Sequence, residues 1–516
     1  MYRKIEHSKK CVTFAPTNDG KFSMRQTKIV IITIVLISLC FISTTTQAIS
    51  KKICVLADIH IMAPSLIDDQ SNKEWQKYLK TCKTMQDLSI PIFDAVENSI
   101  LLDKPDLLLI VGDLTKDSEV ESHKYILKKL TKIKNSGIPI YVIPGNHDRG
   151  WMPRAFKYRN DTCTVAETID NDGFGELYAD YGYGSDTERY GSTLNYMVEP
   201  FPGLTIFGVD SGIWCTFREG SIDWVCQKAK EAQSKGNQVL VMIHHMIMPH
   251  YYYQNNIFEL SIPTDYPEIR EKFMKAGIKV ILSGHSHTSD ITRYTDSSGR
   301  EIYDVCTGSP LSYPCDYRML TFDNNFSKLT ITTKSITNLP GYSDFPAYAK
   351  ERLKESVKNW TQNWMSEKTG IEYEEDEEEG NNNLLISVTS QALSNSFTIH
   401  AEGNEPANPE STEAVMIFDD LLRYIKNHNL SNEEIIENIS LSMKSVLGDY
   451  PSETDKYNVV NDRMLTIQMP NLTNGIEKAT ANESNASWYT LQGIRLSAPP
   501  THSGIYIQQG KKIYIK

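Results

Sequence analysis

Five apolar runs rich in branched residues, ICVLA from Ile53, DLLLIV from Asp106, IPIYVIP from Ile138, QVLVMI from Gln238 and KVILS from Lys279, constrain this chain more than any other feature. Each is followed at once by a polar island: Asp58-Ile59-His60, Gly112-Asp113, Gly145-Asn146-His147-Asp148, His244-His245 and Gly284-His285-Ser286-His287. Runs with so few charges suit parallel strands covered on both faces. Open α/β sheets place their sites at the carboxyl ends of such strands, so the five islands are expected to meet.

The residue types in the islands are those that bind metal. Asp58/His60 and His285/His287 are i, i+2 pairs, and a persisting strand conformation points both members of a pair the same way, so that one ion fits between the pairs. The glycines at 112, 145 and 284 permit turns that bring a carboxylate, an amide or an imidazole close to an ion. Asp113 is the natural bridging group, because one anion shared by two cations offsets their repulsion at roughly 3.5–4 Å separation. Mixed nitrogen and oxygen donors fit Mn, Fe or Zn better than Ca or Mg.

In these islands the chain resembles the calcineurin-like metallophosphoesterase superfamily, whose pattern is D-x-H, G-D, G-N-H-D/E, H and G-H-x-H. The resemblance covers about residues 51–335. It implies a four-layer α/β/β/α sandwich, a first metal held by Asp58, His60, Asp113 and His287, and a second held by Asp113, Asn146, His244 and His285. The family often reads H-x-P at the doublet, whereas this chain reads His244-His245-Met246, which leaves His245 as an alternative ligand. The resemblance further implies that His147 binds the phosphate or protonates the leaving alkoxide, with Asp148 fixing its tautomer and keeping it charged. The wider string VLADIH…KPDLLLIVGDLTKDSEVESH…IPIYVIPGNHD is similar to a branch of secreted and cytoplasmic bacterial phosphoesterases that is cyclic-nucleotide-phosphodiesterase-like. The reaction implied is in-line attack of a metal-bound hydroxide on a phosphomonoester or phosphodiester while both cations neutralise the equatorial oxygens. The alternative is a surface binding protein on a degenerate scaffold, which would be expected to have lost a ligand or His147. None is missing.

Other residues carry lesser expectations. Asp117-Ser118-Glu119 makes a good helix start, which assigns His123 to a solvated or capping position. His250 either lines the substrate cleft or packs in an aromatic loop. The Tyr251-Tyr252-Tyr253 run beside it either stacks a nucleobase or aryl group or covers core.

At 516 residues and 40% apolar, the chain is long enough for two or three domains. Lys21, Arg25 and Lys28 precede a run of weakly polar residues, 29–42, and then Thr46-x-Ala48, the layout of an export signal over residues 1–48, with Met24 as an alternative start. Fourteen residues are short for a membrane span. A lipoprotein reading at Cys40 meets Leu39 where a small residue is wanted. Beyond residue 48 there are 46 Lys/Arg against 63 Asp/Glu, a net charge of −17, which disfavours duplex nucleic acid as a partner and favours a small phosphate ester. Export to the periplasm, cell surface or medium permits disulfides, and Cys215/Cys226 and Cys306/Cys315 are the plausible local pairs, with Cys54 a buried strand residue.

The catalytic domain is expected over 49–340, with a helix over 267–276 and late strands at 301–306, 318–322 and 328–333. A helical accessory region, 341–465, follows, with helices over 345–367, 416–425 and 432–446, and an acidic solvated loop over 372–383 in which no Ca²⁺ ligand spacing is visible. The tail, 466–516, alternates apolar and polar residues around glycines and should form a small β-unit. It resembles the sorting tails that a dedicated outer-membrane secretion machinery recognises; a plain terminal β-module is the alternative.

Overall fold

The computed structural model describes residues 50–369 except 152–153, 251–253 and 255–259, then 381–403, 416, 423, 457–458, 461–472, 488–490, 495–496, 500, 504–508 and 511–515. In chain order the strands are β1 (Lys51–Leu56), β2 (Leu107–Val111), β3 (Ile140–Ile143), β4 (Phe156–Arg159), β5 (Thr162–Val165), β6 (Glu188–Arg189), β7 (Tyr196–Phe201), β8 (Leu204–Val209), β9 (Gln238–Ile243) and β10 (Val280–Ser283). They continue with β11 (Asp290–Thr295), β12 (Glu301–Cys306), β13 (Asp316–Phe322), β14 (Lys328–Ser335), β15 (Tyr457–Asn458) and β16 (Met464–Gln468). The tail carries β17 (Trp488–Thr490), β18 (Arg495–Leu496), β19 (Gly504–Gln508) and β20 (Lys511–Ile515). The helices are α1 (Lys73–Thr81), α2 (Ser89–Asp103), α3 (Val120–Asn135), α4 (Asn171–Leu177), α5 (Ser221–Ser234), α6 (Tyr266–Lys275), α7 (Phe345–Thr369) and α8 (Asn381–Ala401).

Two large sheets carry the fold. One has the order β16-β14-β13-β1-β2-β3, the other β15-β11-β12-β10-β9-β8-β7-β6. The strands before the polar islands are parallel to one another, β1 with β2 and β2 with β3 in the first sheet, β9 with β10 in the second. Alternation along the second sheet shows how its two faces are used. Leu240, Met242, Val280 and Leu282 join the core shared with the first sheet, whereas Val239, Val241, Ile243 and Ile281 pack outward against Val225 and Ala229 of α5 and Phe273 of α6. The first sheet is covered by Ile92, Phe93, Val96 and Ile100 of α2 and Ile126, Leu130 and Ile133 of α3. The result is the α/β/β/α sandwich, with helices on both outer faces and antiparallel strands added at the edges.

Several sequence expectations are corrected. Helix α3 begins at Val120, with Glu119 at its N-cap position and no side-chain cap, and His123 is fully buried rather than solvated. Its Nδ1 lies 2.9 Å from the Tyr178 hydroxyl and its Nε2 3.1 Å from the Asp148 carbonyl, and burial pushes its pKa down to about 3. All seven cysteines from Cys54 onward are unpaired. Cys306 turns its thiol to the Gly284 carbonyl at 3.1 Å, and Cys226 packs on α5 against the outer core, so neither local pair forms. The Asn381–Asn383 run opens helix α8 instead of closing a loop. β16 crosses the expected 465/466 boundary to pair antiparallel with β14, so the chain returns to the first sheet after the accessory region. In the tail β17, β18, β19 and β20 form a four-stranded antiparallel sheet. The export segment, Tyr251 to Tyr253, the acidic block over 372–379 and most of the helices expected over 416–425 and 432–446 lie outside the described residues. Among the described residues no helix is long and apolar enough to cross a membrane.

Candidate metal centre

Both sheets deliver ligand-type side chains to one place. The first turns after β1 carry Asp58 and His60, that after β2 Asp113, and that after β3 Asn146 and His147. From the second sheet, β9 leads into His244 and β10 into His285 and His287. The pairs do not converge through a strand pleat, because β1 ends at Leu56 and β10 at Ser283. Instead Asp58, His60, Asp113, His285 and His287 all adopt left-handed backbone, with φ of 52, 44, 54, 72 and 62°. Such conformations cost non-glycine residues about 1–2 kcal/mol each, and they persist here because the turns are tied together. The Asp58 amide donates to the Gly112 carbonyl at 3.1 Å and the His60 amide to the Asp113 carbonyl at 2.9 Å.

The three glycines give the ligands room. A Cβ on Gly112 would sit 2.5 Å from His244 Nδ1, one on Gly145 would fall on the Asp113 carboxylate, and one on Gly284 would lie 2.7 Å from Asp58 Oδ2.

Two adjacent donor groups result. Asp58, His60 and His287 form one, and Asp113, His244 and His285 the other, with the donor atoms of each group within 4.8 Å of one another. His60 Nε2 faces His287 Nε2 at 3.1 Å, and His244 Nε2 faces His285 Nδ1 at 3.3 Å. Asn146 Oδ1 joins the second group, 3.0 Å from each of those two nitrogens. Asp113 Oδ2 lies between the groups, 3.5 Å from His60 Nε2 and 3.3 Å from His244 Nε2. Imidazole nitrogens crowded against each other and against buried carboxylates need a shared proton or a cation between them, so this donor set fits two transition metal ions. The structure turns His245 away: its Nδ1 lies 2.7 Å from Ser211 Oγ, and it belongs to neither donor group.

Electrostatics follow burial. Burial lowers His60 to about pKa 4 and His285 to about 3, and raises Asp58 to about 8. Burial would lower His244 too, but the Asp113 carboxylate outweighs it and raises that histidine to about 9. His244 Nδ1 is 2.9 Å from the Val111 carbonyl and donates to it, leaving Nε2 to face the donor set.

His147 stands beside this centre, its ring 4.8 Å from that of His60, and its amide donates to Asp113 Oδ1 at 2.8 Å. Asp148 does not reach the His147 ring, which corrects the tautomer-fixing role expected for it. Its carboxylate accepts from the amides of Leu114, Thr115 and Gly145 at 3.1, 2.9 and 2.9 Å, and so fastens the β2 turn to the β3 turn. The partner of His147 is Asp117, whose Oδ1 lies 2.8 Å from Nδ1; the Lys116 carbonyl is 2.7 Å from the same nitrogen. Sequence reasoning missed this residue by treating it as part of a helix start, although an acid four residues past Asp113 on the same turn was a usable signal. It also missed Arg154, whose Nη2 is 3.2 Å from His147 Nε2 and whose Nε is 3.3 Å from Asp117 Oδ1. Burial opposes ionisation of Asp117, yet the His147 hydrogen bond and Lys116 bring it down to about pKa 2. Burial likewise opposes charge on His147, but Asp113 and Asp117 leave its pKa raised. His250 is buried, with its Nδ1 against Asp290, and borders the same cavity.

The family model described as calcineurin-like phosphoesterase matches residues 51–289. A curated relative, a probable glycerophosphodiester phosphodiesterase of Arcobacter nitrofigilis, is 27% identical over 146 residues, which are 28% of this chain and 42% of that protein. The chain thus spans less than half the length of this relative. Among solved structures, a dimetal phosphatase from Danio rerio aligns over 55% of this chain and 96% of its own, at 11% identity and a TM-score of 0.39. A purple acid phosphatase from yellow lupin, Lupinus luteus, aligns over 57% of this chain and 53% of its own, at 11% identity and a TM-score of 0.36. At those scores neither structural likeness adds to the assignment. What carries weight is the sequence match over the segment that supplies every residue of both donor groups, and residues 51–289 are similar to the calcineurin-like phosphoesterases.

Proposed function

We propose that this protein is an exported phosphoric ester hydrolase that works with two transition metal ions, Mn, Fe or Zn. The observation that carries the proposal is Asp113, buried between two donor groups that come from different sheets. Asp58, His60, Asp113 and His287 would hold one ion, and Asp113, Asn146, His244 and His285 the other. When bound, the two cations supply Lewis-acid activation of water and neutralisation of phosphoryl charge. The chain's own part is positional and protonic. Asp113 fixes the spacing of the centre and, through its bond to the His147 amide, the place of His147 relative to it. His147, held by Asp117, presents Nε2 to the cavity, where it can donate a proton to a departing alkoxide. Arg154 adds a second cationic donor on the same side, suited to a phosphoryl oxygen. Support for export comes from the basic residues and apolar run before Ala48, and the C-terminal β-unit is the element a secretion machinery would read.

The test starts from the mature protein, whose first residue should be Ile49. After chelation it is given Mn²⁺ or Zn²⁺ and offered p-nitrophenyl phosphate, bis-p-nitrophenyl phosphate, cyclic AMP and, because of the relative's name, a glycerophosphodiester. Hydrolysis should depend on metal. Asp113→Asn should lose most metal from the second site and nearly all turnover, because a neutral amide cannot offset two adjacent cations. Two tightly bound metals and full turnover in that variant would refute the proposal.

A further inference from the structure

The candidate metal centre borders a cavity of about 860 Å³. His60, Asp113, His147, His285 and His287 supply one part of its lining. A phosphoryl group needs a small part of such a space, since pockets of roughly 300–1,000 Å³ enclose whole organic ligands. The remaining space has to serve the organic part of the ester, and its walls indicate what that part is.

Another part of the lining comes from the region after the catalytic domain, joined by α1. Leu353, Val357 and Trp360 follow one another at i, i+4 and i+7 along α7, which places them on one helix face, and all three border the cavity. Phe397 of α8 and Tyr78 of α1 extend this surface. Glu74, Lys77 and Lys83 border the cavity beside it, and Lys83 holds its ammonium 4.9 Å from the Trp360 ring centroid.

The wall is fastened to the catalytic domain. Arg352 on α7 makes a two-pronged pair with Asp87, Nη1 to Oδ2 at 3.1 Å and Nη2 to Oδ1 at 3.0 Å, and Ser356 Oγ donates to the Cys82 carbonyl at 3.2 Å. Just past α8, Glu402 accepts from Tyr313 at 2.9 Å and from Lys350 at 2.5 Å. His400 Nε2 lies 3.5 Å from Asp290 Oδ2, three residues beyond the ligand His287. A surface pinned by partly buried polar contacts at both ends, which brings Leu353, Val357, Trp360 and Phe397 to the cavity beside Ser356 and His400, offers an apolar strip to an organic group.

We propose that α7 and α8 form the specificity wall of the active site, and that the substrate is a phosphate ester whose organic group is an extended apolar chain lying along Leu353, Val357 and Trp360 and against Phe397. This deepens the hydrolase reading and rests on it for the position of the phosphate.

The test uses the full mature chain loaded with Mn²⁺, a series of n-alkyl phosphates and n-alkyl p-nitrophenyl phosphates from methyl to octyl, and the matching n-alkyl phosphonates as inhibitors that are not turned over. Each methylene that enters the cavity should raise kcat/KM, and tighten phosphonate inhibition or binding, by about three- to fourfold until the chain fills the space. Trp360→Ala should lower the octyl-to-methyl ratio of kcat/KM at least about tenfold, with metal content as in the parent. A chain-length dependence that is flat in both turnover and phosphonate affinity would overturn the proposal while leaving the hydrolase reading standing. So would preference for a nucleoside ester over the octyl esters. Phosphonate affinity that climbs with chain length, in a metal-loaded protein that hydrolyses nothing, would uphold the wall and refute the hydrolase reading.

Discussion

With Nδ1 between Asp117 Oδ1 and the Lys116 carbonyl, a neutral His147 must keep its ring proton on Nδ1 and present a bare Nε2 to the cavity. To act as an acid it needs a second proton on that nitrogen, and Asp117 is the group that favours it, whereas Arg154 works against it. Removing the carboxylate should therefore lower the pKa of His147. If the protonated form limits turnover on the alkaline side, Asp117→Asn should move the alkaline limb of the kcat profile to lower pH by about one unit or more, with both metals retained. His147→Ala sets the limiting case, slowing esters with alkyl leaving groups by roughly 10²–10⁴-fold and nitrophenyl esters less. An unshifted alkaline limb in Asp117→Asn, with equal losses for both leaving groups in His147→Ala, would leave His147 as a clamp on the phosphate. The imidazole was legible in Gly145-Asn146-His147-Asp148; its partner was not. Adjacency in sequence favoured Asp148, whereas the fold uses Asp148 for three backbone amides and brings Asp117 from the neighbouring turn.

Elements that speak through branched residues were readable, and those that speak through packing were not. β1, β2, β9 and β10 are continuous apolar runs because both of their faces are covered, and the polar islands mark where each leaves the sheet. Helix α8, with the sequence NNNLLISVTSQALSNSFTIHA, has many Ser, Thr and Asn and no clean apolar stripe. It is stabilised by packing on α7, as when Ser394 Oγ donates to the Lys354 carbonyl at 3.0 Å. β16 is short and joins an edge, so only its pairing with β14 distinguishes it from the tail. Turns are the elements in which sequence reasoning found the right residues for an incomplete reason. Glycines were expected there, but the left-handed ligands beside them were not. Gly145→Ala tests the turn after β3. Its Cβ would displace the Asp113 carboxylate, so metal content and activity should both collapse, activity by 10²-fold or more on the order of losing a bridging ligand. Gly137→Ala, with φ +94° and nothing within 4 Å of its Cβ, should cost only about 1–2 kcal/mol of backbone strain and keep both metals. Equal metal content in the two variants would show that the turn tolerates displacement and that close approach is not what the glycine provides.

At the scale of the whole molecule the centre is a joint. Asp58, His60, Asp113 and Asn146 come from the first sheet and His244, His285 and His287 from the second, so an ion in either group ties the two sheets together. Ions that bind only the folded chain stabilise it by mass action, about 4 kcal/mol per site at a thousandfold excess over Kd, enough to raise Tm on the order of 10 °C. The size of that gap must depend on pH, and its sign follows from the two raised groups. Without cations, buried Asp58 keeps its proton up to about pH 8 and His244, beside Asp113, up to about pH 9. Both values exceed those of the unfolded chain, so the stability these two groups lend the metal-free fold is lost as pH rises, that of Asp58 between about pH 4 and 8 and that of His244 between about pH 6.5 and 9, whereas the lowered His60 and His285 act in the opposite sense below about pH 6.5. Bound ions require both groups deprotonated, so protons compete with them at low pH and metal binding releases protons. The Tm difference between metal-loaded and chelated protein should therefore widen from pH 6 to pH 9, and calorimetric titration in buffers of different ionisation enthalpy should register proton release that shrinks toward pH 9. A difference that narrows as pH rises, or metal binding without proton release at pH 6, would mean that Asp58 and His244 are already deprotonated in the metal-free fold and that the joint is held by other bonds.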